Sequence, residues 1–323
     1  MAILITGVAG FIGSNLARKL LNNGQTVIGI DNLCRGTISN ISNLSSNPRF
    51  SFFELDASKI DVYRESLGSF VKKYPITSIW HLAANSDIAA GVLDEGVDLR
   101  DTFLTTFNTL LLMREFGIKE ILFASSSAIY GDFGDDLISE KSGPLFPCSN
   151  YGAMKLASEA IISAALESHL DSAYIFRFPN VVGTPATHGV IVDFIKRLKE
   201  CPSELHVLGD GSQQKSYLHV NDLIDSMLFI HSNSKNKLNF YNIGPDDFGV
   251  TVREIAEEVV SLVSPLARII YGSGNKGWVG DVPKFYYSVD KLRDLGWPIS
   301  FKSSNAIAKA IREIALQEGA GPK

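Results

Sequence analysis

The sequence predicts an α/β protein: a doubly wound parallel sheet with a smaller C-terminal substrate-binding lobe. Two patterns carry that expectation. Apolar runs of strand character alternate with amphipathic helical stretches through residues 1–179, and such alternation lays strands parallel with helices on both faces. The first run ends in three glycines spaced three apart, Gly7, Gly10 and Gly13, a spacing suited to a tight strand–turn–helix crossing.

Residues 2–6 are short and apolar and read as a buried parallel strand. They enter Gly7-Val8-Ala9-Gly10-Phe11-Ile12-Gly13, and a helix pattern follows over 14–21. Glycines here let the backbone turn sharply, approach a diphosphate and pack the helix on the strand. The helix N-terminus then offers N–H groups and a positive dipole end to phosphate. The expectation is a Rossmann-type dinucleotide site. A second strand, 26–30, ends in Asp31, 18 residues beyond Gly13. A carboxylate there hydrogen-bonds both ribose hydroxyls and repels a 2′-phosphate, which favours NAD over NADP. Arg35 close by weakens that preference slightly.

A third strand, 50–55, ends at Asp56; a fourth, 76–82, runs into Ala83 and Ala84; a fifth, 120–124, leads into Ser125-Ser126-Ser127; a sixth covers 173–178. Helices are expected over 59–73, 98–116 and 151–169. Asp31, Asp56, Ala83, Ser127 and residues 177–180 all fall at strand C-termini, where ligands of such sheets bind, so one cleft is the economical reading. After Asn180 the texture changes. Gly183-Thr184-Pro185-Ala186-Thr187-His188-Gly189 is a loop, followed by a helix over 190–198, the turn Gly209-Asp210-Gly211 and a terminal helix over 304–317. We expect a dinucleotide domain over 1–179, a lobe over 180–323, and a return to the first domain near 216–245.

Composition narrows the function. At 323 residues and 45% hydrophobic, the chain can bury a sizeable core. A net charge of -5 and a pI near 5.7 argue against nucleic acid or an anionic membrane as partner. Cys34, Cys148 and Cys201 are scattered, suiting a reducing cytoplasm better than a disulfide framework or a zinc site. The first 22 residues carry no basic leader, and no apolar run reaches the roughly 20 residues of a membrane helix. No His, Cys and carboxylate group has metal-ligand spacing, so no metal is expected.

The sharpest local signal is Tyr151 with Lys155. A four-residue step puts both side chains on one helix face. A free phenol has a pKa of about 10, and a fixed ammonium beside it favours the phenolate, moving it towards use as a base. Alone, such a pair is far more often a solvated helix face; 24 residues after the Ser125–Ser127 run, it is a candidate catalytic group.

Taken together, Gly7 to Gly13, Asp31-Asn32-Leu33, His81-Leu82-Ala83-Ala84, Ser125-Ser126-Ser127-Ala128-Ile129-Tyr130-Gly131, Tyr151-Gly152-Ala153-Met154-Lys155, Arg177-Phe178-Pro179-Asn180-Val181-Val182-Gly183 and Gly209-Asp210-Gly211 resemble an extended short-chain dehydrogenase/reductase of the nucleotide-sugar epimerase/dehydratase group. The likeness runs along almost the whole chain and is greatest to UDP-glucose (UDP-galactose) 4-epimerases. It implies bound NAD and a UDP-hexose substrate. Ser127 and Tyr151 would hydrogen-bond the reacting hydroxyl, Tyr151 as base, with Lys155 on the nicotinamide ribose. Gly7, Gly10, Phe11, Ile12, Gly13, Asp31, Asn32, Arg35, Gly36, Asp56, Ala57, Leu82, Ala83, Ala84, Thr105, Ser125 and Phe178 would contact the cofactor. Asn180, Gly189, Val190, Ile191, His206, Val207, Lys215 and Asp281 would hold the nucleotide, and Phe285 would gate the sugar's C2 substituent. A homodimer through a four-helix bundle, built from residues 98–116 and 151–169, also follows from the resemblance.

The chain departs from the family in places. The usual Asn-x-x-Gly-Thr reads Thr105-Thr106-Phe107-Asn108-Thr109, and arginines are replaced at Lys215 and at Trp278, ahead of Asp281. A lysine neutralises phosphate as a point charge but lacks the bidentate fork. Dehydratase relatives carry an acid just after the serine, where this chain has Ala128 and Ile129. His81, His219 and Asp222 are expected to be structural, and His188 lies in a loop near the expected nucleotide.

Overall fold

The computed structural model describes residues 1–274, 285–298 and 302–320. The chain divides into two units. One comprises Met1–Gly131, Leu145–Arg177 and Met227–Tyr241; the other comprises Asp132–Pro144, Phe178–Ser226 and Asn242–Lys323. The piece returning to the first unit is therefore 227–241, narrower than the expected 216–245, and residues 132–144 join the second unit although they precede the tyrosine helix.

The first unit is built on seven strands: β1 (Ala2–Thr6), β2 (Thr26–Asp31), β3 (Phe50–Glu54), β4 (Ile76–His81), β5 (Glu120–Ala124), β6 (Ser172–Arg177) and β7 (Leu238–Asn242), the last ending at the unit boundary. Their order across the sheet is β7-β6-β5-β4-β1-β2-β3, and β1 to β6 run parallel. The strand sequence reverses direction between β1 and β4, the position at which open parallel sheets leave a crevice at their carboxyl ends. The strands alternate with α1 (Phe11–Asn22), α2 (Ile60–Lys73), α3 (Ile88–Leu93), α4 (Glu95–Asp98), α5 (Thr105–Phe116) and α6 (Asn150–Leu166). One core packs Leu4, Ile28 and Ile121 of the sheet against Leu67 of α2, Leu112 of α5 and Ile162 of α6.

The expected helix over 98–116 is not continuous. Residues Leu99–Leu104 form a π-helical turn between α4 and α5. Such a turn inserts one residue and shifts the facing of side chains on either side. Periodicity over 98–116 does not reveal it, because apolar residues line both the buried side, with Leu110, Leu112 and Met113, and the exposed side, with Leu99, Phe107 and Leu111.

The second unit contains α7 (Val190–Glu200), α8 (Val220–Asn233, whose residues from 227 onward belong to the first unit), α9 (Val252–Val263), α10 (Asp290–Asp294) and α11 (Ser303–Gln317), with short two-stranded ribbons. Ile195 of α7, Val259 of α9 and Ile311 of α11 meet in its core with Leu205. Thr251 and Glu254 start α9 with a reciprocal capping box. Among the described residues no helix is long and apolar enough to cross a membrane.

The β1–α1 crossing depends on glycine. A Cβ on Gly13 would lie 2.1 Å from the Gly7 carbonyl oxygen and 2.9 Å from Val8 Cα, both backbone atoms that cannot move aside. Gly13→Ala is expected to destabilise the protein by about 1–3 kcal/mol, as overpacking of a rigid site does, measured as a lowered midpoint in urea unfolding.

Candidate active site

The glycine crossing leaves α1 with Gly10 as N-cap and no side-chain cap, so first-turn N–H groups lack an intrahelical partner. Gly7 has a φ of 72°, and its position is closed from the other side: a Cβ there would stand 2.9 Å from the Ala83 nitrogen. Ala83 is held by Thr6. The Thr6 hydroxyl accepts from the Leu82 and Ala83 N–H groups, both at 3.1 Å, and lies 2.8 Å from His81 Nδ1. His81 Nε2 meets Thr106 at 3.0 Å. Burial first, and then the Lys155 charge, push His81 down to about 3. A fully buried, neutral imidazole with both nitrogens occupied is a strut joining β1, β4 and α5.

Asp31 ends β2 with both oxygens engaged: Oδ2 accepts from Ala9 N at 2.9 Å and Oδ1 from Leu33 N at 2.8 Å. Burial raises its pKa, and hydrogen bonds from Leu33, Ala9 and Gly10 oppose the rise. Gly36 closes the loop over it, since a Cβ there would be 2.9 Å from Asp31 Oδ2 and 2.8 Å from the Ala9 carbonyl carbon. Asn32 accepts from Cys34 N within that loop. Arg35, weighed above as a weak counter-signal to NAD preference, donates to Asp87 at 2.7 Å, so its charge is answered by the N-cap of α3. Asp56 accepts from Ser58 N, and Ala57 is tied by its carbonyl to Asn108 Nδ2 at 3.0 Å. The departure at 105–109 thus keeps a function for Asn108, which clamps the strand end beside Asp56. The Thr105 hydroxyl instead donates into its own helix, to Asp101 and Thr102 carbonyls. A crossing filled by backbone alone, an uncapped helix start and a buried carboxylate at the next strand end together fit a dinucleotide.

The serine run follows β5. Ser126 caps a short 3₁₀ turn, Ser127–Ile129, by accepting from Ala128 N. Ser149 caps α6 by accepting from Gly152 N at 3.1 Å. The two starts touch at Gly152, where a Cβ would come within 2.4 Å of the Ala128 carbonyl oxygen. Only a residue without a side chain lets α6 bring Tyr151 this close to the Ser127 turn.

Tyr151 and Lys155 are together on α6, but their electrostatics differ from the expectation of a lysine-acidified phenol. Burial pushes the Tyr151 phenol up to about 12; a hydrogen bond with Ser126 works against the rise and the Asp98 charge adds to it. Burial also takes Lys155 down to about 7, opposed by the carboxylates of Glu159 and Asp98. The geometry explains the departure. The Lys155 ammonium donates to the Ala124 carbonyl at 2.6 Å, lies 4.7 Å over the Phe123 ring and stands 5.8 Å from the centre of the Tyr151 ring. Its hydrogen bond goes to the strand end.

Sequence reasoning named Ser125 but missed its partners and several other members of this site. Ser125 donates to Glu159 at 2.5 Å, and Glu159 is paired with Arg177 at 2.6 Å. Asp98, fully buried, accepts from Asn85 at 2.9 Å through one oxygen, while the other has no hydrogen-bond partner. The stripe Tyr151, Lys155, Glu159 was visible as a four-residue repeat. Asp98 and Asn85 carried no comparable signal.

In the second unit, Asn180 is exposed at the start of a strand paired with Tyr217–His219. Phe178 is buried. Gly189, at φ 105°, precedes α7 with no side-chain cap, and Val190 begins the helix. Ile191 and Val207 turn into the unit's own core, which leaves only their backbone for a ligand. His206 is exposed beside Glu204. Lys215 lies in a ribbon against Val250–Thr251, and Phe285 is 5.4 Å from the Tyr287 ring. His188 is exposed and bonded to Thr187. His219 is buried between Glu313, at 3.0 Å, and Lys309, a structural placement. Trp278 and Asp281 lie outside the described residues. Among the described residues no cluster of His, Cys, Asp and Glu could hold a metal.

Comparison with known proteins gives these features a family. The model described as "NAD dependent epimerase/dehydratase family" matches residues 3–244. A crystal structure of UDP-galactose 4-epimerase is 31% identical, covers 98% of this chain and 99% of its own, and superposes with a TM-score of 0.84. The Thermus thermophilus UDP-glucose 4-epimerase, crystallised with NAD, is 27% identical with 97% and 99% coverage and a TM-score of 0.83. The UDP-glucuronate 4-epimerase of Thermodesulfobacterium geofontis is 26% identical over 90% of this chain and 89% of that protein. The family match runs from the first sheet strand to the last, and on it the chain belongs to the NAD dependent epimerase/dehydratase family and is, with it, an NAD-dependent enzyme.

Proposed function

We propose that this enzyme is a nucleotide-sugar 4-epimerase of the UDP-glucose/UDP-galactose type. The observation that carries the proposal is the close approach of α6 to the Ser127 turn, with Tyr151 and Ser127 on the facing ends and Lys155 one turn below. NAD, held by the Gly7–Gly13 crossing and Asp31, would supply a reversible hydride acceptor for C4 of the sugar. Tyr151 would take the C4 hydroxyl proton, directly or through Ser127, and return it to the epimer. It would do so in its phenolate form, which burial disfavours here by pushing the phenol up to about 12 and which the positive charge of bound NAD would favour. The 4-keto sugar formed in between turns over, so the binding energy belongs on the nucleotide, which stays anchored while the sugar rotates. Asn180, residues 189–191, residues 206–207 and Lys215 are our candidates for that anchor, and Phe285 for the sugar end.

A 4,6-dehydratase moves a second proton and requires a further acid or base. The two residues after Ser127 do not titrate; Ile129 is fully buried and the Ala128 carbonyl sits against Gly152. That favours epimerisation. The uronic-acid relative widens the choice of sugar, and a 4-reductase would share the same residues but consume reduced cofactor. Three exposed cysteines, none in a disulfide, support a cytoplasmic setting.

We also propose a homodimer. Leu99, Phe107 and Leu111 are 54%, 46% and 41% exposed; Phe107 and Leu111 share a face of α5, and Ala160 and Ala164 are exposed on α6, which packs beside it. An apolar surface spread over two adjacent helices suits burial against a second copy.

Three outcomes are expected. Tyr151→Phe should keep bound NAD and lose turnover by about 10²- to 10⁴-fold, the range of a general base; retained turnover removes Tyr151 from the chemistry. Purified protein incubated with UDP-glucose, UDP-galactose, UDP-glucuronate and their N-acetyl counterparts should interconvert a 4-epimer pair with no added cofactor, read by chromatographic separation; stoichiometric consumption of NADH would identify a reductase instead. In sedimentation velocity the parent should run as a dimer and Phe107→Glu with Leu111→Glu as a monomer; a monomeric parent rejects the interface.

A further inference from the structure

Tyr151, Lys155 and Glu159 stand four residues apart on α6, a single stripe down one face. The proposed chemistry uses the first two. The third is a carboxylate only 6% exposed, in a position where an acid is rarely kept without partners. Glu159 Oε1 accepts from Ser125 Oγ at 2.5 Å and from Arg177 Nε at 3.1 Å, and Oε2 accepts from Arg177 Nη2 at 2.6 Å. Arg177 Nη1 in turn donates to the Tyr130 hydroxyl at 3.0 Å.

These contacts have a common target. Ser125 precedes the Ser127–Ile129 turn and Tyr130 follows it, so one ion pair holds the turn from both sides. One helical turn along α6, Lys155 donates to the carbonyl of Ala124, the neighbour of Ser125. Successive turns of α6 therefore grip successive residues at the end of β5. A pair serving only to fill space between β6 and α6 would not need to reach both flanks of Ser127.

Resting on the epimerase reading for its rate measurements, we propose that Glu159 is a positioning residue: through Ser125 and Arg177 it fixes the Ser127 turn against Tyr151. Its carboxylate, one turn from Lys155 on the same stripe, also favours the charged form of that lysine. The groups facing Lys155 are Glu159 on its own helix, Asp98 from α4, neutral His81 from β4, the Ala124 carbonyl and the Phe123 and Tyr151 rings. Facing Glu159 are Lys155, Ser125 and Arg177, and Arg177 also lies over the Tyr130 and Phe240 rings. Neutralising Glu159 would leave Asp98 as the one carboxylate acting on Lys155 among these groups, and would remove the carboxylate charge that stands between Arg177 and Lys155. Both changes favour loss of the lysine proton, so it would leave at lower pH.

The test uses protein with isotope-labelled lysine, following the Lys155 Cε resonance with pH; the signal is assigned by its absence in Lys155→Met. In Glu159→Gln the midpoint should fall by about one pH unit or more. On the 4-epimer substrate the alkaline limb of the rate profile should shift the same way. There kcat should drop roughly ten- to hundredfold with KM within about twofold. Glu159→Asp, which keeps the charge but shortens the reach, should restore the midpoint and not kcat. Ser125→Ala, which removes the reach but no charge, should lower kcat and leave the midpoint alone. Folded Glu159→Gln with an unmoved midpoint and unchanged kcat overturns the inference. If Glu159→Gln does not fold, the other two variants decide it: parental kcat in both overturns it, and the split just described upholds it. A parent that turns over no nucleotide sugar overturns the epimerase proposal, and the lysine titration alone then decides the role of Glu159.

Discussion

An ammonium ion cannot be buried at a strand end without compensation, and meeting that requirement for Lys155 organises the first unit. The charge is met by the Ala124 carbonyl at 2.6 Å, by the face of Phe123 and by the carboxylates of Glu159 and Asp98. Each of these constrains another element. Ala124 fixes α6 to β5, Glu159 brings in Arg177 from β6, and Asp98 draws Asn85 from the loop after β4. Even so compensated, Lys155 is held near the neutral range. A small change in nearby charge therefore changes its protonation.

The other requirement is close approach of backbones. At Gly13, Gly36 and Gly152 a Cβ would run into main chain, and each marks a contact between elements that meet at the candidate site. Gly13 sets α1 on the first crossing, Gly36 folds the loop over Asp31, and Gly152 sets α6 on the Ser127 turn. The cofactor side and the serine–tyrosine side are thus built by one device, a missing side chain where backbones meet. Buried hydroxyls complete it: Thr6 and Thr106 occupy both nitrogens of His81, while burial, then the Lys155 charge, keeps the imidazole neutral.

The second unit is governed by its own core. Ile191 and Val207 belong to that core, so a nucleotide contact there would come from main chain and from exposed neighbours such as Asn180 and His206. A base recognised through backbone amides and carbonyls depends little on side-chain identity. Relatives that differ in the sugar they act on can therefore share the framework seen here.

The sequence by itself determined what neighbours along the chain can express. Apolar runs set the first six sheet strands to within a residue, and helical patterns set α2, α7 and α11 to within two, whereas β7, α8 and α9 were not read. Gly7 to Gly13 announced the crossing by steric need, and Asp31 announced itself by following a strand. The Tyr151–Lys155 spacing likewise lies within one helix. Only the tertiary structure decided which distant residues share an environment. Ser125 meets Glu159, and Glu159 meets Arg177, because α6, which links β5 to β6, packs back against β6 and the turn that follows β5. The π-turn at Leu99–Leu104 was invisible because one inserted residue barely alters apolar periodicity. The balance of charge on Tyr151 and Lys155 was equally out of reach, since burial outweighs the pairing of the two, and burial is a property of everything packed around them.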